Sequence, residues 1–415
     1  QKTNKVQAGE VIKITIGSEI DICKNYYWKY GINFQSTTFS PAESVERLYS
    51  FLNNAIKLQL NADVNTGVFL SGGIDSTIVT AIAQMNSMQA IKTFSIGFNE
   101  ENFDESRTAQ KASSLLGTDH KSFTLTGKIA NEMFERIPFA WDEPFADSSQ
   151  IPTLYLCKEA SNDIKVAMTG DGADELFCGY QRYKYYDNIS SLRGKSIIRM
   201  IKLYKKIFSR QFRNSYGELK GFSRLVHIAS MQNQSDIYKS FITQNSQPES
   251  ILAFEELAKE IPSYSNENFS LKECMAYDFQ NYLPSDILTK IDRAGMSYSI
   301  ETRMPFLDKN IIALAESLPI RSLYYKNELK HILKKIYQDF LPQSMMQIKK
   351  KGFSVPIGQW MRKELKQKCE YLLFSDNEKD NSIFDWKFVR RLWGIHLKGQ
   401  KDLSKILWPI ISYQN

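Results

Sequence analysis

The stretch Val68-Phe69-Leu70-Ser71-Gly72-Gly73-Ile74-Asp75-Ser76-Thr77 is the most informative part of this sequence. An apolar run stops at Ser-Gly-Gly, Asp75 and Ser76 follow after Ile74, and a helix-like segment covers residues 77–84. Glycine lets the backbone approach a ligand closely, and the unpaired N–H groups at a helix N-terminus favour negative charge. The stretch therefore predicts a strand, an anion-binding loop and a helix.

The six residues Ser71-Gly72-Gly73-Ile74-Asp75-Ser76 resemble the pyrophosphate loop of the ATP pyrophosphatases, which has the pattern SGGxDS. Those enzymes cleave ATP between its α- and β-phosphates and so activate a carboxylate or a carbonyl as an adenylate. The loop is not a Walker A sequence, because no lysine follows the glycines and the spacing differs. A glycine-rich turn that serves only packing is the alternative, but packing does not require every position of the pattern.

The composition is that of an ordinary globular protein. Of the 415 residues, 42% are hydrophobic and 24% are charged, which suffices for a large core. The length of the chain exceeds the usual range of a single domain and favours two structural units. The five cysteines are scattered along the chain, which predicts reduced thiols in a cytoplasmic protein without a metal framework. Because the sequence contains neither a signal peptide nor a long apolar run, we expect no membrane partner.

The net charge is +7, from 53 basic and 46 acidic residues, and much of the excess lies in residues 193–220 and in Lys349-Lys350-Lys351. A basic surface can bind nucleic acid, but no helix-turn-helix, zinc or RNP pattern accompanies these residues. Charge runs of this kind are usually solvated. We therefore predict no nucleic-acid partner.

Residues 10–17 alternate between polar and apolar side chains, with Ile12, Ile14 and Ile16 on one face of a predicted strand. A single strand cannot bury its face alone. We therefore expect a pairing partner upstream, and we interpret residues 1–34 as the tail of a domain whose remainder is absent.

From residue 35 to about 185, predicted strands and helices alternate. Ser40-Pro41-Ala42-Glu43 has the residues of a helix start. Alternation of this kind implies parallel βαβ units, whose ligands bind beyond the carboxyl ends of the strands. Strand signals vanish after about 185, so residues 186–415 are predicted to be mostly helical. The predicted strands of the sheet cover 67–70, 91–98, 120–125 and 164–168.

A second group of polar residues follows the last of these strands, in Thr169-Gly170-Asp171-Gly172-Ala173-Asp174-Glu175. Acidic residues in the first turn of a helix are favoured by its dipole, but capping needs one acid rather than three. Oxygen ligands for Mg²⁺ together with a general base account for the group better. Since parallel strands end at the same edge of a sheet, Asp75 and Asp174 are predicted to converge on one metal ion.

The order of these segments resembles the synthetase domain of the class B, glutamine-hydrolysing asparagine synthetases. The resemblance implies an α/β fold with the parallel sheet of the ATP pyrophosphatase (adenine nucleotide α-hydrolase-like) type and a mostly helical C-terminal half. The matching segments run in the family's order from about residue 67 to about residue 360. They are Ser71–Ser76, Trp141–Ser149, Thr169–Tyr180, Leu288–Arg293, Glu301–Asp308 and Lys349–Phe353.

By position, the resemblance implies a site for ATP as a substrate and for Mg²⁺. Asp75 and Asp174 would bind the metal ion, and Lys350 would stabilise charge on the α-phosphate rather than be solvated. Asp171, where well-studied members carry glutamate, would deprotonate or orient the incoming ammonium, and Tyr180 would line the same site. The residues expected to bind ATP are Leu70, Ser71, Gly72, Gly73, Asp75, Ser76, Ile96, Gly97, Thr169 and Gly170.

The resemblance implies aspartate as the carboxylate acceptor and ammonia as the nitrogen donor, normally supplied by glutamine hydrolysis in the complete protein. The family's glutaminase nucleophile is a cysteine at the mature N-terminus. Gln1 heads this chain, so we expect the chain itself to use ammonia and to leave glutamine intact. The resemblance also allows a homodimer.

Several alternatives stay open at the level of sequence. Relatives of this architecture amidate sugar carboxylates in surface-polysaccharide pathways or close β-lactam rings, and the motifs do not reveal the acceptor. A nucleotide-binding protein without catalysis is disfavoured because the loop, both metal-binding acids and Lys350 are all present. A tRNA-modifying pyrophosphatase is disfavoured because no RNA-binding module is recognisable and because the segment 303–308 is present.

The segment Arg303-Met304-Pro305-Phe306-Leu307-Asp308 places a charge on each side of an apolar stretch. We predict a buried ion pair between Arg303 and Asp308 that fixes this loop. Lys290, Asp292 and Arg293 are predicted to form similar ion pairs beneath the site.

Overall fold

The computed structural model describes residues 5–31, 39–191, 228, 231, 233–242, 269–342, 345, 355–375 and 383–415. It contains an antiparallel hairpin near the N-terminus and a five-stranded sheet. The strands are β1 (Glu10–Ile16), β2 (Ile20–Tyr26), β3 (Thr66–Phe69), β4 (Lys92–Phe98), β5 (Asp119–Leu125), β6 (Val166–Met168) and β7 (Glu301–Arg303).

The sheet has the strand order β5-β4-β3-β6-β7, and every neighbouring pair is parallel. The chain starts at β3 in the middle, adds β4 and β5 on one side, and returns to add β6 on the other side. The direction of winding therefore reverses between β3 and β6. In open α/β sheets, ligands bind beyond the carboxyl ends of the strands at such a reversal.

Helices account for most of the remaining described residues. Among the described residues, we find no helix that is both long and apolar enough to cross a membrane. Up to residue 190, the helices are α1 (Pro41–Leu60), α2 (Ile74–Met85), α3 (Ser106–Leu116), α4 (Gly127–Phe134), α5 (Ile137–Ala140), α6 (Gln150–Ala160), α7 (Ala173–Leu176) and α8 (Gln181–Ser190).

The described residues of the C-terminal half are mostly helical, and β7 is a strand among them. A π-helix covers Asp278–Leu288 and a 3₁₀ turn covers Pro305–Leu307. The α-helices are α9 (Gln234–Ile242), α10 (Leu271–Tyr277), α11 (Thr289–Met296), α12 (Lys309–Ser317), α13 (Ile320–Leu323), α14 (His331–Tyr337), α15 (Ile357–Arg362), α16 (Lys366–Phe374), α17 (Trp386–Leu397) and α18 (Ser404–Gln414).

Two hydrophobic clusters cover the two faces of the sheet. Val68 and Leu70, at the end of β3, pack into one cluster, and Phe69 between them packs into the other. Burial on both faces explains why β3 has a continuous apolar run instead of an alternating one. The predicted α/β fold with a parallel sheet is thus confirmed.

Local sequence signals place the helix start at residue 41 correctly. The Ser40 hydroxyl accepts from the Glu43 N–H at 3.2 Å, and the Glu43 carboxylate accepts from the Ser40 N–H at 2.8 Å. These two bonds satisfy donors that a helix N-terminus would otherwise leave unpaired. The cap fixes where α1 begins.

One short strand that the sequence did not indicate follows residue 185, within the segment predicted to be mostly helical. In β7, Glu301 and Arg303 lie opposite Val166 and Met168 of β6, and the pairing is parallel. The Thr169 N–H extends this pairing by donating to the Arg303 carbonyl oxygen at 2.9 Å. Three polar residues are too few to show the alternation by which a strand is recognised in a sequence. β7 is a strand because its backbone pairs with β6.

The predicted ion pair between Arg303 and Asp308 is wrong. Arg303 Nε pairs with Glu301 Oε1 at 2.7 Å, and its Nη1 donates to the Gln59 carbonyl oxygen at 2.6 Å. Asp308 instead caps α12, because its Oδ1 accepts from the Asn310 N–H at 2.8 Å. Arg303 therefore ties the edge strand to the end of α1.

The N-terminal strand has a downstream partner that the sequence did not indicate. β1 pairs with β2, which lies downstream, and Ile14 faces Ile22 while Ile16 faces Ile20. The short turn between the two strands allows this antiparallel pairing, and an upstream partner for β1 stays a prediction. Ile14, Ile16, Ile20 and Ile22 are exposed, so pairing satisfies the backbone but does not bury the apolar face.

Candidate active site

The Ser-Gly-Gly loop lies at the carboxyl end of β3, in the middle of the sheet, and leads directly into α2. The Ser71 and Ser76 hydroxyls lie 3.1 Å apart, and the Gly73 N–H donates to Ser71 Oγ at 3.3 Å. Gly72 has φ +75°, and a Cβ there would lie 2.8 Å from the Ala109 N atom. The loop therefore requires glycine for both its conformation and its contact with α3.

The loop after β6 approaches the Ser-Gly-Gly loop closely. A Cβ at Gly170 would lie 2.7 Å from the Ser76 N atom and 2.8 Å from Asp75 Cβ. Two polar loops therefore meet at the point where the winding of the sheet reverses. The structure brings Asp75 and Asp174, which lie in the first turns of α2 and α7, to one place.

Both carboxylates form ion pairs with Lys330. Its Nζ atom lies 2.6 Å from Asp75 Oδ2, and it also pairs with Asp174 Oδ1. Lys330 is 7% exposed and directly precedes α14 in a left-handed conformation, φ +56°. Burial lowers the pKa of this ammonium, but Asp174 and Asp75 outweigh burial and hold the pKa above its ordinary value. The group is therefore charged.

The donor set around Lys330 fits a magnesium ion that is held mainly by its substrate. Mg²⁺ commonly takes one or two protein carboxylates and completes its octahedral shell with phosphate oxygens and water. Asp75 and Asp174 supply two carboxylates around one buried cation. Within the described ranges, no group of three or more His, Cys, Asp and Glu residues could hold a metal ion. An all-protein metal cage is therefore not formed there.

Asp171 lies beside a second buried charge cluster. Its Oδ2 accepts from the Thr169 hydroxyl at 2.8 Å, which orients the carboxylate. Lys290 Nζ pairs with Asp147 Oδ2 at 2.7 Å, and its ammonium also interacts with the charge of Asp171. Burial and the neighbouring Asp147 raise the pKa of Asp286 to about 7. Three carboxyl groups, those of Asp147, Asp171 and Asp286, thus surround the single ammonium of Lys290.

Tyr180 lies in a third cluster. Its hydroxyl donates to Glu175 Oε1, and the Arg182 guanidinium carbon lies 3.8 Å from the centre of its ring. Burial and then the charge of Asp174 raise the pKa of Glu175 to about 8. Burial, followed by the charge of Glu175, raises the pKa of Tyr180 well above its ordinary value, so this phenol is a neutral donor.

An apolar pocket opens beside the Ser-Gly-Gly loop, between the ends of β3 and β4. Leu70 and Ile96, two residues expected to contact ATP, line it, as does Ser71. Gly97 is packed against the following loop, because a Cβ there would lie 2.8 Å from Asp104 Oδ1. The remaining apolar lining comes from Phe69, Phe94, Phe98, Phe103, Ala109 and Leu156.

A model of the asparagine synthase family matches residues 47–414 of this chain. The chain belongs to the asparagine synthase family. Asparagine synthetase [glutamine-hydrolyzing] 1 of Bacillus subtilis is 26% identical over 99% of this chain and 64% of its own length. A putative asparagine synthetase [glutamine-hydrolyzing] of Mycobacterium tuberculosis is 27% identical over 89% of this chain and 56% of its own. Amidase chyE of Penicillium rubens is 24% identical over 87% of this chain and 60% of its own. The chain thus spans less than two thirds of each relative.

The sequence of this asparagine synthase family member did not point to Lys330. No motif marks it, and its ion pair with Asp75 joins residues 255 positions apart. Asp147 and Asp286 were likewise not selected as site residues. Lys350 lies outside the described residues, so its role stays a prediction.

A glycine-to-alanine pair tests the contact between the two loops. Gly170→Ala should lower the free energy of unfolding by about 1–3 kcal/mol, because the new methyl group meets backbone and Asp75 atoms that cannot easily move. Gly394→Ala is the control, since nothing lies within 4 Å of its Cβ position in α17. It should stabilise the helix by about 0.5–1 kcal/mol. Equal urea-unfolding midpoints for the two variants would contradict this close approach.

Because the pKa of Asp286 is raised, we predict that the stability of the protein depends on pH through this group. Folding keeps the proton on this group up to about pH 7, whereas the unfolded carboxyl loses it near 3.8. Stability contributed by the protonated form is therefore full below 3.8 and lost as pH rises through 7. The free energy of unfolding of Asp286→Asn should therefore rise relative to that of the wild type, by on the order of 1 kcal/mol per pH unit between about pH 5 and 7.

Thermal unfolding at several pH values measures this gain. The matched control is Asp292→Asn, because Asp292 is exposed on the adjacent helix α11. It should follow the wild type at every pH. A constant difference between Asp286→Asn and the wild type across this range would contradict the buried titration of Asp286.

Proposed function

We propose that this chain catalyses the ATP-dependent amidation of a carboxylate, with aspartate as the acceptor and asparagine as the product. The observation that carries the proposal is the meeting of the Ser-Gly-Gly loop with Asp75, Asp174 and Lys330 at the point where the sheet reverses. Membership of the asparagine synthase family supports the same chemistry. Asp171 lies on the loop after β6, the loop that approaches the Ser-Gly-Gly loop at Gly170.

In the first step, an acceptor carboxylate oxygen attacks the α-phosphorus of ATP, and the bond to the β-phosphate breaks. The N–H groups of the Ser-Gly-Gly loop and the hydroxyls of Ser71 and Ser76 would hold the departing pyrophosphate at the start of α2. Lys330 would neutralise charge beside it. Mg²⁺, held by Asp75 and Asp174, would supply further neutralisation of the phosphates. Lys350 would stabilise the charge that builds on the α-phosphate.

In the second step, ammonia attacks the acyl carbon of the adenylate, and AMP leaves with the electrons of the acyl–oxygen bond. The nitrogen must then lose a proton. Asp171 would accept it; its orientation by the Thr169 hydroxyl and its interaction with the charge of Lys290 support this assignment. Tyr180, held on Glu175, would line the same cleft.

The acceptor and the nitrogen donor are the finer parts of this proposal. The names of two relatives state asparagine synthesis with glutamine hydrolysis, and the third is named an amidase. We propose aspartate first and another carboxylate, such as a sugar acid of surface-polysaccharide synthesis, as the alternative. The 415-residue chain would take ammonia directly and would act in the cytoplasm as a soluble ligase, as a monomer or homodimer, without nucleic-acid or membrane partners.

Product analysis tests the proposal. The chain is incubated with ATP, Mg²⁺, ammonium and either aspartate or a panel of uronic acids, and nucleotides are separated by anion exchange. We expect AMP and pyrophosphate in equal amounts, formed only when an acceptor is present. ADP as the main product would contradict the assignment of the Ser-Gly-Gly loop. Release of glutamate from added glutamine would contradict the assignment of free ammonia as the donor.

A further inference from the structure

The loop between β4 and α3, residues 99–105, forms part of the wall of the apolar pocket beside the Ser-Gly-Gly loop. Phe98, the last residue of β4, and Phe103 in the loop both line this pocket. The Phe103 N–H donates to the Glu100 carbonyl oxygen at 2.8 Å, so both residues belong to one turn. Wherever Glu100 is held, the backbone of Phe103 is held with it.

The Glu100 side chain is tied to a helix of the C-terminal half. Its Oε1 accepts from Trp360 Nε1 at 3.0 Å, a bond between residues 260 positions apart. Trp360 lies in α15 and is 1% exposed. Its ring also packs against Phe98, with the two ring centres 6.2 Å apart. One indole thus contacts both the end of β4 and the loop that follows it.

Asp104 closes this loop at its base. Its Oδ1 accepts from the Phe98 N–H at 3.4 Å and from the Ser106 N–H at 3.0 Å. These bonds fix the two ends of the loop but do not include the turn between Glu100 and Phe103. Trp360 supplies a contact to that turn from outside the loop.

The Glu100 carboxylate depends on this donor because part of it is removed from water. Its second oxygen, Oε2, is buried and has no hydrogen-bond partner among the described residues. A buried polar group that loses its donor costs free energy unless it moves to water. Without the indole N–H, the carboxylate would turn toward the solvent, and the turn that carries Phe103 would move with it.

A nucleotide with its phosphates on the Ser-Gly-Gly loop would place its base in this apolar pocket. We propose that Trp360 is a positioning residue for nucleotide binding, since its N–H holds Glu100 and thereby keeps Phe103 in the wall around the base. This inference rests on the proposed ATP-dependent function. It adds a residue of the C-terminal half to the nucleotide site.

Nucleotide binding by the 415-residue chain tests this assignment without an acceptor. Calorimetric titrations with Mg²⁺ compare ATP with ribose 5-triphosphate, which has the sugar and the phosphates of ATP but no base. Trp360→Phe keeps an aromatic ring against Phe98 and removes the N–H donor. It should weaken ATP binding on the order of 10-fold, the equivalent of one hydrogen bond to a carboxylate. Binding of ribose 5-triphosphate should be nearly unchanged, because the wall that moves surrounds the base.

Trp393→Phe is the matched control. The Trp393 N–H donates to Glu370 Oε1 at 3.3 Å, and Trp393 is 4% exposed in the same hydrophobic cluster as Trp360. Neither Trp393 nor Glu370 lines the pocket. In thermal unfolding this variant should lose stability as Trp360→Phe does, but it should keep the wild-type affinity for ATP.

Substitutions of Glu100 test the other partner and keep the test usable if Trp360→Phe does not fold. Glu100→Ala should weaken ATP binding by the same factor as Trp360→Phe. Glu100→Gln retains an acceptor oxygen for the indole N–H and should bind ATP nearly as the wild type does. The variant that combines Trp360→Phe with Glu100→Ala should bind ATP no more weakly than either single variant, because both remove the same contact.

Three results would overturn the assignment. The first is wild-type affinity for ATP in both Trp360→Phe and Glu100→Ala. The second is an equal loss of affinity for ATP and ribose 5-triphosphate, which indicates a general structural effect. The third is equal binding of the two ligands by the wild type, because the base would then not occupy the pocket. A wild type that binds neither ligand contradicts the proposed function itself, and the inference falls with it.

Discussion

Lys330→Met should lower the free energy of unfolding of the unliganded protein by about 3 kcal/mol. The substitution keeps most of the side-chain volume but removes the cation that pairs with Asp75 and Asp174. Asp75 is 5% exposed, so water cannot fully replace the lost charge. Removing one partner of a buried ion pair costs more than the pair itself contributes, because the other charge stays in a poorly solvated place.

Thermal unfolding with and without Mg²⁺ measures this effect. Mg²⁺ should raise the melting temperature of Lys330→Met more than that of the wild type, because the ion can take the place of the missing ammonium between two carboxylates. Lys334→Met is the matched control, since Lys334 pairs with the partly exposed Glu328 at 2.9 Å. Exposed pairs contribute about 1 kcal/mol or less. Identical melting curves for the two variants would refute the central role of Lys330.

Lys350→Ala should slow adenylation by a factor on the order of 10²–10³, the usual effect of removing one preorganised charge contact in a transition state. Asp171→Asn should instead form the acyl-adenylate and transfer it poorly to ammonia, because Asp171 is assigned to the second step. The two variants should affect different steps, because charge builds on the α-phosphate in the first step and the nitrogen loses its proton in the second.

Exchange of labelled pyrophosphate into ATP, with aspartate present and ammonia absent, reports the first step alone. Exchange should be lost in Lys350→Ala and largely kept in Asp171→Asn. Lys349→Ala and Lys351→Ala are the matched controls on either side and should exchange normally. If all three lysine variants exchange like the wild type, the three lysines form a solvated run and the assignment of Lys350 is wrong.

The α/β core was predictable because its signals are local. An apolar run followed by Ser-Gly-Gly specifies β3, the loop and the start of α2, and Ser40 with Glu43 specifies the start of α1. The boundaries of β3 differ by one residue from the prediction, and α2 begins three residues before the predicted helix, at Ile74. Each of these elements is determined by residues within about one turn of its end.

The missed elements depend on distant partners. β7 has three residues, two of them charged, and it exists because β6 offers unpaired backbone groups at the edge of the sheet. β1 was recognised from its alternation, but the alternation does not state which strand pairs with it. The charge of Arg303 suggested Asp308 five residues away, whereas the fold offers Glu301 and the carbonyl oxygen of Gln59.

The sequence alone determined the class of the fold, the glycine-rich loop that we propose holds phosphates, and the acidic loop that follows β6. These features lie within single stretches of chain, where the residue types and the backbone that they require are adjacent. Only the tertiary structure decided that Lys330 lies between Asp75 and Asp174, and that Lys290 lies beside Asp147. These contacts join residues 255 and 143 positions apart, respectively. Such a contact forms because packing of the whole core excludes water around the charges, and no local pattern encodes it.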